Sequence, residues 1–405
     1  MKNIEKIIIN CQICKKKLSK LFSLGKHPLC DDLVKINSKK INFLYPIDLK
    51  FCENCLIVFQ KFQIKNDVLF PKNYHYRAKF TEDVINGQKS LVNSIIKKYG
   101  SLKNKKILDV GCNDGTLLNL FKAKKAKTLG IEPTDAFKET KKNHRVINNF
   151  FNYETGKKIN FFFKNIDYIT FTNVFAHINN LDETIKTLKF LISKKTKIII
   201  ENHYLGSVIE KNQIDTFYHE HPRTYSFKSL FNISKRLNLN IEHFEFPKRY
   251  GGNIRVFMGK NSNKKNLDVI FKKEKNFYKD LLKIKKKLNV WKLKKKKTIN
   301  QTIKKHGPLP AKAFPGRAAI LVKLLNLNKS HVFATFEKPN SKKIGHYIPG
   351  TKISILSDKN LRKNIVKEKP IINLAWHIEK EIKGYLKSKK IQNQIINIID
   401  KKDFK

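Results

Sequence analysis

Short apolar runs rich in β-branched residues alternate with longer amphipathic stretches between residues 76 and 240. Runs of that length predict strands, and stretches with apolar residues every three or four positions predict helices. The alternation is typical of a parallel sheet with crossover helices in an α/β fold. The predicted strands are Lys106–Val110, Thr128–Ile131, Arg145–Asn148, Tyr168–Asn173 and Lys197–Glu201, and the predicted helices include Thr116–Lys124 and Leu181–Ser193.

The flanks of this region have other patterns. Residues 1–75 hold paired cysteines among turn-forming residues, and residues 262–305 are rich in lysine with a helical pattern. The C-terminal part returns to an α/β pattern. Its predicted elements are the helix Ala319–Leu325, the strands His331–Thr335, Lys352–Ser357 and Ile371–Ala375, and the helix His377–Leu386.

The chain is strongly basic, with 85 lysine and arginine residues against 33 aspartate and glutamate residues and a net charge of +52. Such a charge favours polyanion binding. An A/T-rich genome is the other explanation, because the abundant Asn, Ile and Phe share A/T-rich codons with Lys. The lysines are spread along the whole chain, so we interpret the charge as compositional bias and do not expect a nucleic-acid partner. An anionic substrate would still gain from the positive field.

The sequence shows no sign of a membrane or secretory protein. No apolar run approaches the ~20 residues of a membrane span. The N-terminus, MKNIEKIIIN, lacks the long apolar stretch and the cleavage site of a signal peptide. We therefore expect a cytoplasmic protein without a membrane partner. The sequence does not determine the oligomeric state, and a monomer is favoured.

Two C-x-x-C pairs, Cys11/Cys14 and Cys52/Cys55, are separated by 37 residues. In a cytoplasmic chain such pairs indicate a metal more often than disulfides. Two pairs can close one tetrahedral zinc ion with no position left for water, which is the geometry of a structural site. The alternative is four unrelated buried cysteines.

A strand, a tight glycine turn and a helix are predicted in succession from Lys106 to Leu118. The spacing is G-x-x-x-G, and the turn is acidic, which suits a ligand with ammonium and sulfonium groups better than a pyrophosphate. An acidic residue about 20 positions beyond such a turn is where a ribose is bound. The alternative is an ordinary α/β turn. The candidate residues of this methyl-donor site are Asp109, Gly111, Asn113, Asp114, Gly115, Thr116, Leu117, Glu132 and Asn173.

Four proton-handling residues stand together in Tyr218-His219-Glu220-His221. Packing does not require such a cluster, because each buried polar group must find a partner. Methylation of carbon needs a base that removes a proton beside a carbonyl and donors that hold the enolate oxygen, and these residue types supply both. In an extended segment Tyr218 and Glu220 would point one way, and His219 and His221 the other. A second metal site is the alternative.

His177 follows the predicted strand 168–173. It is either a structural histidine or part of the same site, since the carboxyl ends of parallel strands face one crevice.

Together these motifs resemble the sugar C-methyltransferases of deoxysugar biosynthesis. The resemblance covers nearly the whole chain. It rests on the cysteine pairs, LGKHP at 24–28, NYHY at 73–76, DVGCNDGTLL at 109–118, IEPT at 131–134, NVFAHI at 173–178, ENHYL at 201–205, YHEH at 218–221, YGGNIR at 250–255, HYIPGT at 346–351 and LAWH at 374–377. It implies a zinc-binding domain over 1–75, a Rossmann-like S-adenosylmethionine-dependent methyltransferase domain over 76–240, and a Rossmann-like C-terminal domain over 241–405 that helps enclose a nucleotide-sugar.

The resemblance also implies roles for single residues. His221 is then the general base, Glu220 supports it, His219 belongs to the same cluster, and Tyr76, His177 and Tyr218 line the sugar pocket. The implied substrate is a nucleotide-linked 4-keto-deoxysugar that is methylated at carbon 3 through an enolate. An RNA-binding zinc protein, an RNA methyltransferase and a non-catalytic scaffold are the alternatives, and the intact Tyr-His-Glu-His segment argues against the scaffold.

Overall fold

The computed structural model describes residues 3–261, 267–362 and 368–404. Its strands are β1 Ile4–Ile7, β2 Ser19–Pro28, β3 Val34–Lys35, β4 Leu44–Cys52, β5 Ile57–Gln60, β6 Phe62–Ile64, β7 Lys106–Val110, β8 Lys127–Ile131, β9 Arg145–Ile147, β10 Tyr168–Thr172, β11 Lys197–His203, β12 Arg223–Thr224, β13 Asn240–Glu245, β14 Asn253–Gly259, β15 Leu309–Lys312, β16 Val332–Glu337, β17 His346–Tyr347, β18 Ser354–Ser357, β19 Ile371–Asn373 and β20 Ile395–Asn397. Its helices are α1 Asn66–Leu69, α2 Glu82–Tyr99, α3 Thr116–Ala123, α4 Phe137–Thr140, α5 Tyr153–Phe162, α6 Leu181–Leu191, α7 Leu205–Glu210, α8 Phe227–Arg236, α9 Asp268–Glu274, α10 Phe277–His306, α11 Ala318–Leu324 and α12 Glu379–Ser388.

Contacts along the chain define two units. The first comprises Met1–Lys20, Lys50–Val208 and Glu220–Tyr278, and the second comprises Leu21–Leu49, Ile209–His219 and Lys279–Lys405. Each unit has its own large sheet.

The large sheet of the first unit has the order β13-β14-β11-β10-β7-β8-β9. Strands β9, β8, β7, β10 and β11 pair in parallel, and β14 is antiparallel to both of its neighbours. The chain runs from β7 to β8 and β9 on one side and then returns to place β10 and β11 on the other. In open α/β sheets ligands bind outside the carboxyl ends of the strands at such a reversal. The predicted α/β fold is confirmed, and the reversal places the candidate site at the ends of β7 and β10.

Helix α2 shows how the sequence builds the layer beside this sheet. Leu91, Val92 and Ile95 recur at helical spacing and pack in one core with Ile107 of β7. Fully burying an aliphatic side chain contributes about 1.5–3 kcal/mol, so this stripe anchors α2. The helix ends at Gly100, whose φ of +83° is favourable only without a Cβ.

The sheet of the second unit has the order β20-β19-β15-β16-β18-β17-β3. The strands from β20 to β18 pair in parallel, and β17 and β3 are antiparallel. This sheet also reverses beside its first parallel strand, β15, so the predicted C-terminal α/β pattern is confirmed. Trp291 of α10 is fully buried, and its indole N–H donates to the carbonyl of Ile398 at 3.0 Å.

Most predicted boundaries lie close to those of the structure. β7 has the predicted bounds, α6 ends at Leu191 instead of Ser193, and a 3₁₀ turn at Trp376–Ile378 precedes α12. The predicted lysine-rich helical region is α9 and α10, and its residues 262–266 lie outside the described residues. Among the helices of the described ranges, none is both long and apolar enough to cross a membrane.

Candidate active site and metal centre

The four paired cysteines come together in the first unit. Their sulfur atoms all lie within 4.8 Å of one another, and Cys14 Sγ is 3.5 Å from Cys52 Sγ. The backbone N–H groups of Ile13 and Cys55 donate to the sulfurs of Cys11 and Cys52, both at 3.4 Å. These N–H groups suit sulfur atoms that carry negative charge.

The donor set fits a zinc ion. Zn–S bonds of about 2.3 Å in a tetrahedron place the sulfurs about 3.8 Å apart, close to the spacing in the cluster. Hydrogen bonds among the thiols raise the pKa of Cys11 and Cys55 and lower that of Cys52, so a thiolate is already favoured within the cluster. The prediction that the two cysteine pairs come together in one cluster that could hold a zinc ion is confirmed.

The glycine turn after β7 approaches its neighbours closely. Gly111 has φ +71°, and a Cβ there would lie 2.5 Å from Cγ2 of Val174. Gly115 has φ +79° and stands directly before α3. A side chain at Gly111 would meet Val174 and one at Gly115 would meet Thr140, so neither position accepts one without a shift of its neighbours. The role of the two glycines in cofactor binding stays a prediction.

Two buried carboxyl groups flank this turn. Asp109, 3% exposed, accepts a hydrogen bond from Thr170 Oγ1 at 2.6 Å, and burial raises the pKa of its carboxyl to about 7. Glu132 Oε1 accepts from the N–H and the hydroxyl of Thr134, and its Oε2 accepts from Asn113 N at 2.9 Å. Oε2 thus keeps a lone pair for a further donor, such as a ribose hydroxyl. Burial raises the pKa of Glu132 as well.

Asn113 and Asp114 tie the turn to the segment 76–79. Asn113 Oδ1 accepts from Ala78 N at 3.0 Å, and its Nδ2 donates to the Tyr76 carbonyl at 3.1 Å. Asp114 Oδ2 accepts from Lys79 N at 3.0 Å. Their side chains therefore hold the backbone that presents Tyr76.

The other three candidates for the donor site differ in environment. The hydroxyl of Thr116 donates to Asp114 Oδ1 at 2.5 Å, and Leu117 is buried in the core of the first unit. Asn173, with φ +54°, accepts from Asn253 Nδ2, whereas its own buried Nδ2 has no hydrogen-bond partner among the residues that the structure describes. A buried N–H without a partner is costly. Asn173 Nδ2 and the two carboxyl groups thus fit a ligand that carries both carboxylate and cationic groups.

Three imidazole rings form a row, His177–His221–His203, which we call the histidine row. The ring centroids of His177 and His221 are 4.9 Å apart, and those of His221 and His203 are 5.1 Å apart. His221 is 4% exposed, and His203 is the last residue of β11. Nδ1 of His177 lies 2.6 Å from the carbonyl of Glu220, and burial lowers the pKa of this histidine to about 4.

One phenol–carboxylate pair and one phenol–phenol pair lie beside this row. Tyr74 OH donates to Glu220 Oε2 at 3.0 Å, and the hydroxyls of Tyr76 and Tyr250 are 3.1 Å apart. Burial around its hydroxyl raises the pKa of Tyr76, although 39% of the residue is exposed. Tyr250 adopts φ +51°, ψ +26°, a conformation that costs about 1–3 kcal/mol outside glycine and often marks functional sites.

His219 and His221 have different neighbours in the structure. His219–Glu220 form a turn and Tyr218 a bend, so the alternation expected of an extended segment does not hold. His219 belongs to the second unit, where its Nε2 lies 3.1 Å from the Tyr45 carbonyl and burial lowers its pKa to about 3. Tyr218 is half-buried in the same unit.

Sequence reasoning did not single out His203, Tyr74 or Tyr250 as site residues. His203 stands at the carboxyl end of a predicted strand, a place where ligands are bound. Tyr250 precedes two glycines, which is a sign of an unusual backbone turn. Tyr74 gives no such signal, because its contact with Glu220 spans 146 residues.

Three families of known domains match consecutive parts of the chain. Residues 11–70 match a zinc binding domain, residues 85–244 a methyltransferase domain, and residues 248–398 a C-methyltransferase C-terminal domain. The chain is 25% identical over 261 residues to C-methyltransferase NovU of Streptomyces niveus. That alignment covers 64% of this chain and 62% of NovU, which is less than two thirds of the relative's length.

Two proteins are examples of solved structures that resemble part of this chain. Magnesium protoporphyrin IX methyltransferase of Synechocystis PCC 6803, solved with bound SAH, is 13% identical, with 44% of this chain and 84% of that chain covered and a TM-score of 0.35. The PH0226 protein of Pyrococcus horikoshii OT3 is 14% identical, with 47% and 100% covered and a TM-score of 0.36.

Proposed function

We propose that this chain, which belongs to the family of C-methyltransferases that join a zinc binding domain, a methyltransferase domain and a C-methyltransferase C-terminal domain, methylates carbon on a nucleotide-linked 4-keto-deoxysugar with S-adenosylmethionine as donor. The methylated atom is carbon 3, beside the ketone. The observation that carries the proposal is the histidine row beside Glu220, at the carboxyl edge where the cofactor turn also lies. The sequence motifs support the sugar as substrate.

The donor supplies a methyl group on a sulfonium. Asp109 and Glu132 fit its cationic and ribose groups, because both carboxyl groups are buried at the turn and Glu132 Oε2 retains a lone pair. Asn173 Nδ2 fits its carboxylate, since this buried donor has no partner among the described residues. Gly111 and Gly115 leave room for the close approach.

His221 acts as the base. It takes the proton from the sugar carbon beside the ketone, and the electron pair of that C–H bond forms the enolate. The enolate carbon then bonds the methyl carbon while the C–S bond breaks and leaves a thioether. Tyr76 can donate to the enolate oxygen because its hydroxyl stays protonated when burial raises its pKa. Glu220, held by Tyr74, supports the base.

In the proposed mechanism His177 accepts a hydrogen bond from the substrate and does not donate one to the ketone. A carbonyl only accepts, so Nδ1 of His177 carries the proton that is donated to Glu220 O. With its pKa lowered to about 4 the ring is neutral at physiological pH, and Nε2 is an acceptor. We propose that Nε2 of His177 accepts a hydrogen bond from a sugar hydroxyl. The parts of Tyr218 and His219, and the domain ranges 1–75, 76–240 and 241–405, stay predictions.

The test is methyl transfer from labelled donor to a panel of nucleotide-linked 4-keto-sugars, with total RNA in parallel. The proposal expects a keto-sugar product heavier by one CH2 unit, with the new methyl on carbon. Labelled RNA without labelled sugar would support the RNA methyltransferase instead. Transfer of the labelled methyl group to a sugar oxygen instead of a carbon would contradict the enolate mechanism.

A further inference from the structure

The strand that follows the second cysteine pair holds the segment that follows His221. β5 begins two residues after Cys55, and β12 begins two residues after His221. The two strands pair antiparallel, with Phe59 opposite Arg223. A metal ligand and the candidate base therefore stand just before two strands that are bonded to each other.

Gln60 of β5 holds two consecutive carbonyls at this point. Its side-chain Nε2 donates to the His221 carbonyl at 3.1 Å, and its backbone N–H donates to the Pro222 carbonyl at 3.0 Å. Gln60 is 2% exposed, so water does not compete with these bonds. The backbone of the base is thus fixed by a residue that lies five positions after a zinc ligand.

A residue between the two cysteines of the first pair contacts the same segment. Gln12, which stands between Cys11 and Cys14, accepts a hydrogen bond at Oε1 from Arg223 Nη1. The same guanidinium group donates to the Asn179 carbonyl at 3.2 Å, and Arg223 is 1% exposed. A buried cation that loses a partner is strongly destabilised, so this contact keeps Arg223 in one position.

Residues after β12 also contact the cysteine cluster. Asn232 Nδ2 donates to Cys55 Sγ at 3.2 Å, and Ser226 Oγ donates to the Cys55 carbonyl at 3.3 Å. The four sulfurs and the segment 221–232 thus form one hydrogen-bonded assembly.

We propose that Gln60 and Arg223 are positioning residues through which the zinc centre holds His221 in place for proton abstraction. The inference rests on the proposed function for the role of His221. A bound zinc ion fixes the two C-x-x-C turns relative to each other. Gln12, through Arg223, and Gln60 of β5 then fix the backbone of His221 relative to these turns. A displacement of about 1 Å at a catalytic group can cost about 10²-fold in rate. The glycine turn follows β7 and Glu132 follows β8. The affinity for S-adenosylmethionine therefore need not change when the position of His221 changes.

Gln60→Met in zinc-loaded protein is the first test. It removes the amide donor at similar volume, and we expect kcat to fall about tenfold or more with a changed pH profile, while the Kd for S-adenosylmethionine stays within about twofold. Gln63→Met is the matched control. Gln63 is also 2% exposed, three positions along, and its Nε2 has no hydrogen-bond partner among the described residues. Equal kcat values and pH profiles for the two variants would overturn the inference.

Hydrogen exchange of the peptide 220–226 is the second test, because it needs no turnover. We expect faster exchange, by about tenfold, after chelation of zinc and in zinc-loaded Gln60→Met, but not in Gln63→Met. Wild-type exchange rates in both the chelated protein and Gln60→Met would overturn the inference even if the enzyme methylates keto-sugars. Faster exchange in an enzyme that methylates no keto-sugar would leave the positioning supported and contradict the proposed function alone.

Discussion

His177 and Gln60 hold the two adjacent peptide carbonyls of Glu220 and His221. Nδ1 of His177 lies 2.6 Å from the carbonyl of Glu220, and Nε2 of Gln60 donates to that of His221 at 3.1 Å. One anchor follows β10 of the large sheet, and the other belongs to the strand after the second cysteine pair. The backbone of the candidate base is therefore held at two consecutive carbonyls.

Zinc content is the most direct check of the cysteine cluster. We expect about one zinc per chain in freshly purified protein, because the four sulfurs close one tetrahedral site. Cys11→Ser should lose most of the metal and unfold at lower temperature, with a smaller change in donor affinity. Cys30→Ser, at an equally buried cysteine outside the cluster, should keep the zinc. Metal analysis that finds no zinc in the native protein would contradict the site.

Donor binding should depend on the turn after β7. In Gly111→Val the added side chain meets Val174 at 2.5 Å from a backbone with φ +71°, and the strain of about 1–3 kcal/mol should weaken binding of S-adenosylmethionine tenfold or more by calorimetry. Glu132→Ala should weaken it through the lost ribose contact. Gly384→Ala, in a helix with open space around the Cβ position, is the control. Wild-type affinity in both site variants would move the donor elsewhere.

Acid should destabilise the second unit through two buried histidines. Burial lowers the pKa of His27 to about 4 and that of His219 to about 3, whereas an unfolded histidine titrates near 6.5. Between these values the unfolded state binds more protons, so stability is complete above about pH 6.5 and falls as the pH drops toward 4. The loss at pH 5 should be about 2 kcal/mol for each histidine.

Denaturant unfolding across pH 5–7.5 measures this effect. His27→Gln with His219→Gln should flatten the acid limb, because an amide can still donate to the Leu24 and Tyr45 carbonyls without titrating. An equally steep limb in the double variant would show that other groups control acid stability.

The sequence predicts five of the seven strands of the first sheet, β7 to β11, because these are short runs rich in β-branched and aliphatic residues between turn residues, but it does not predict β13 and β14. The cysteine cluster and the glycine turn are also predictable, since their chemistry lies in short-range spacing. The residue types of the Tyr-His-Glu-His segment single it out in the sequence, but its turn is not predicted. Its bend depends on contacts with Gln60 and His177, which are distant in sequence.

Long-range contacts explain what sequence reasoning missed. His203 joins the histidine row because β11 lies beside β10 in the sheet, and Tyr250 reaches Tyr76 across 174 residues. Such neighbours follow from topology and register and not from local periodicity. The link from Gln12 to Arg223 spans 211 residues and is of the same kind.

The central claim is that His221 removes the proton from the carbon beside the ketone. His221→Ala should bind the donor and the sugar, because the donor turn is built from other strands, and it should lose methyl transfer by ~10²–10⁴-fold, the usual contribution of a positioned base.

Solvent deuterium exchange at that carbon, measured without methyl donor on a nucleotide-linked 4-keto-sugar, tests the claim most directly. We expect the wild-type enzyme to exchange the proton and His221→Ala to leave it in place. A His221→Ala enzyme that exchanges and methylates near the wild-type rate would contradict the account and move the base to another residue of the cluster.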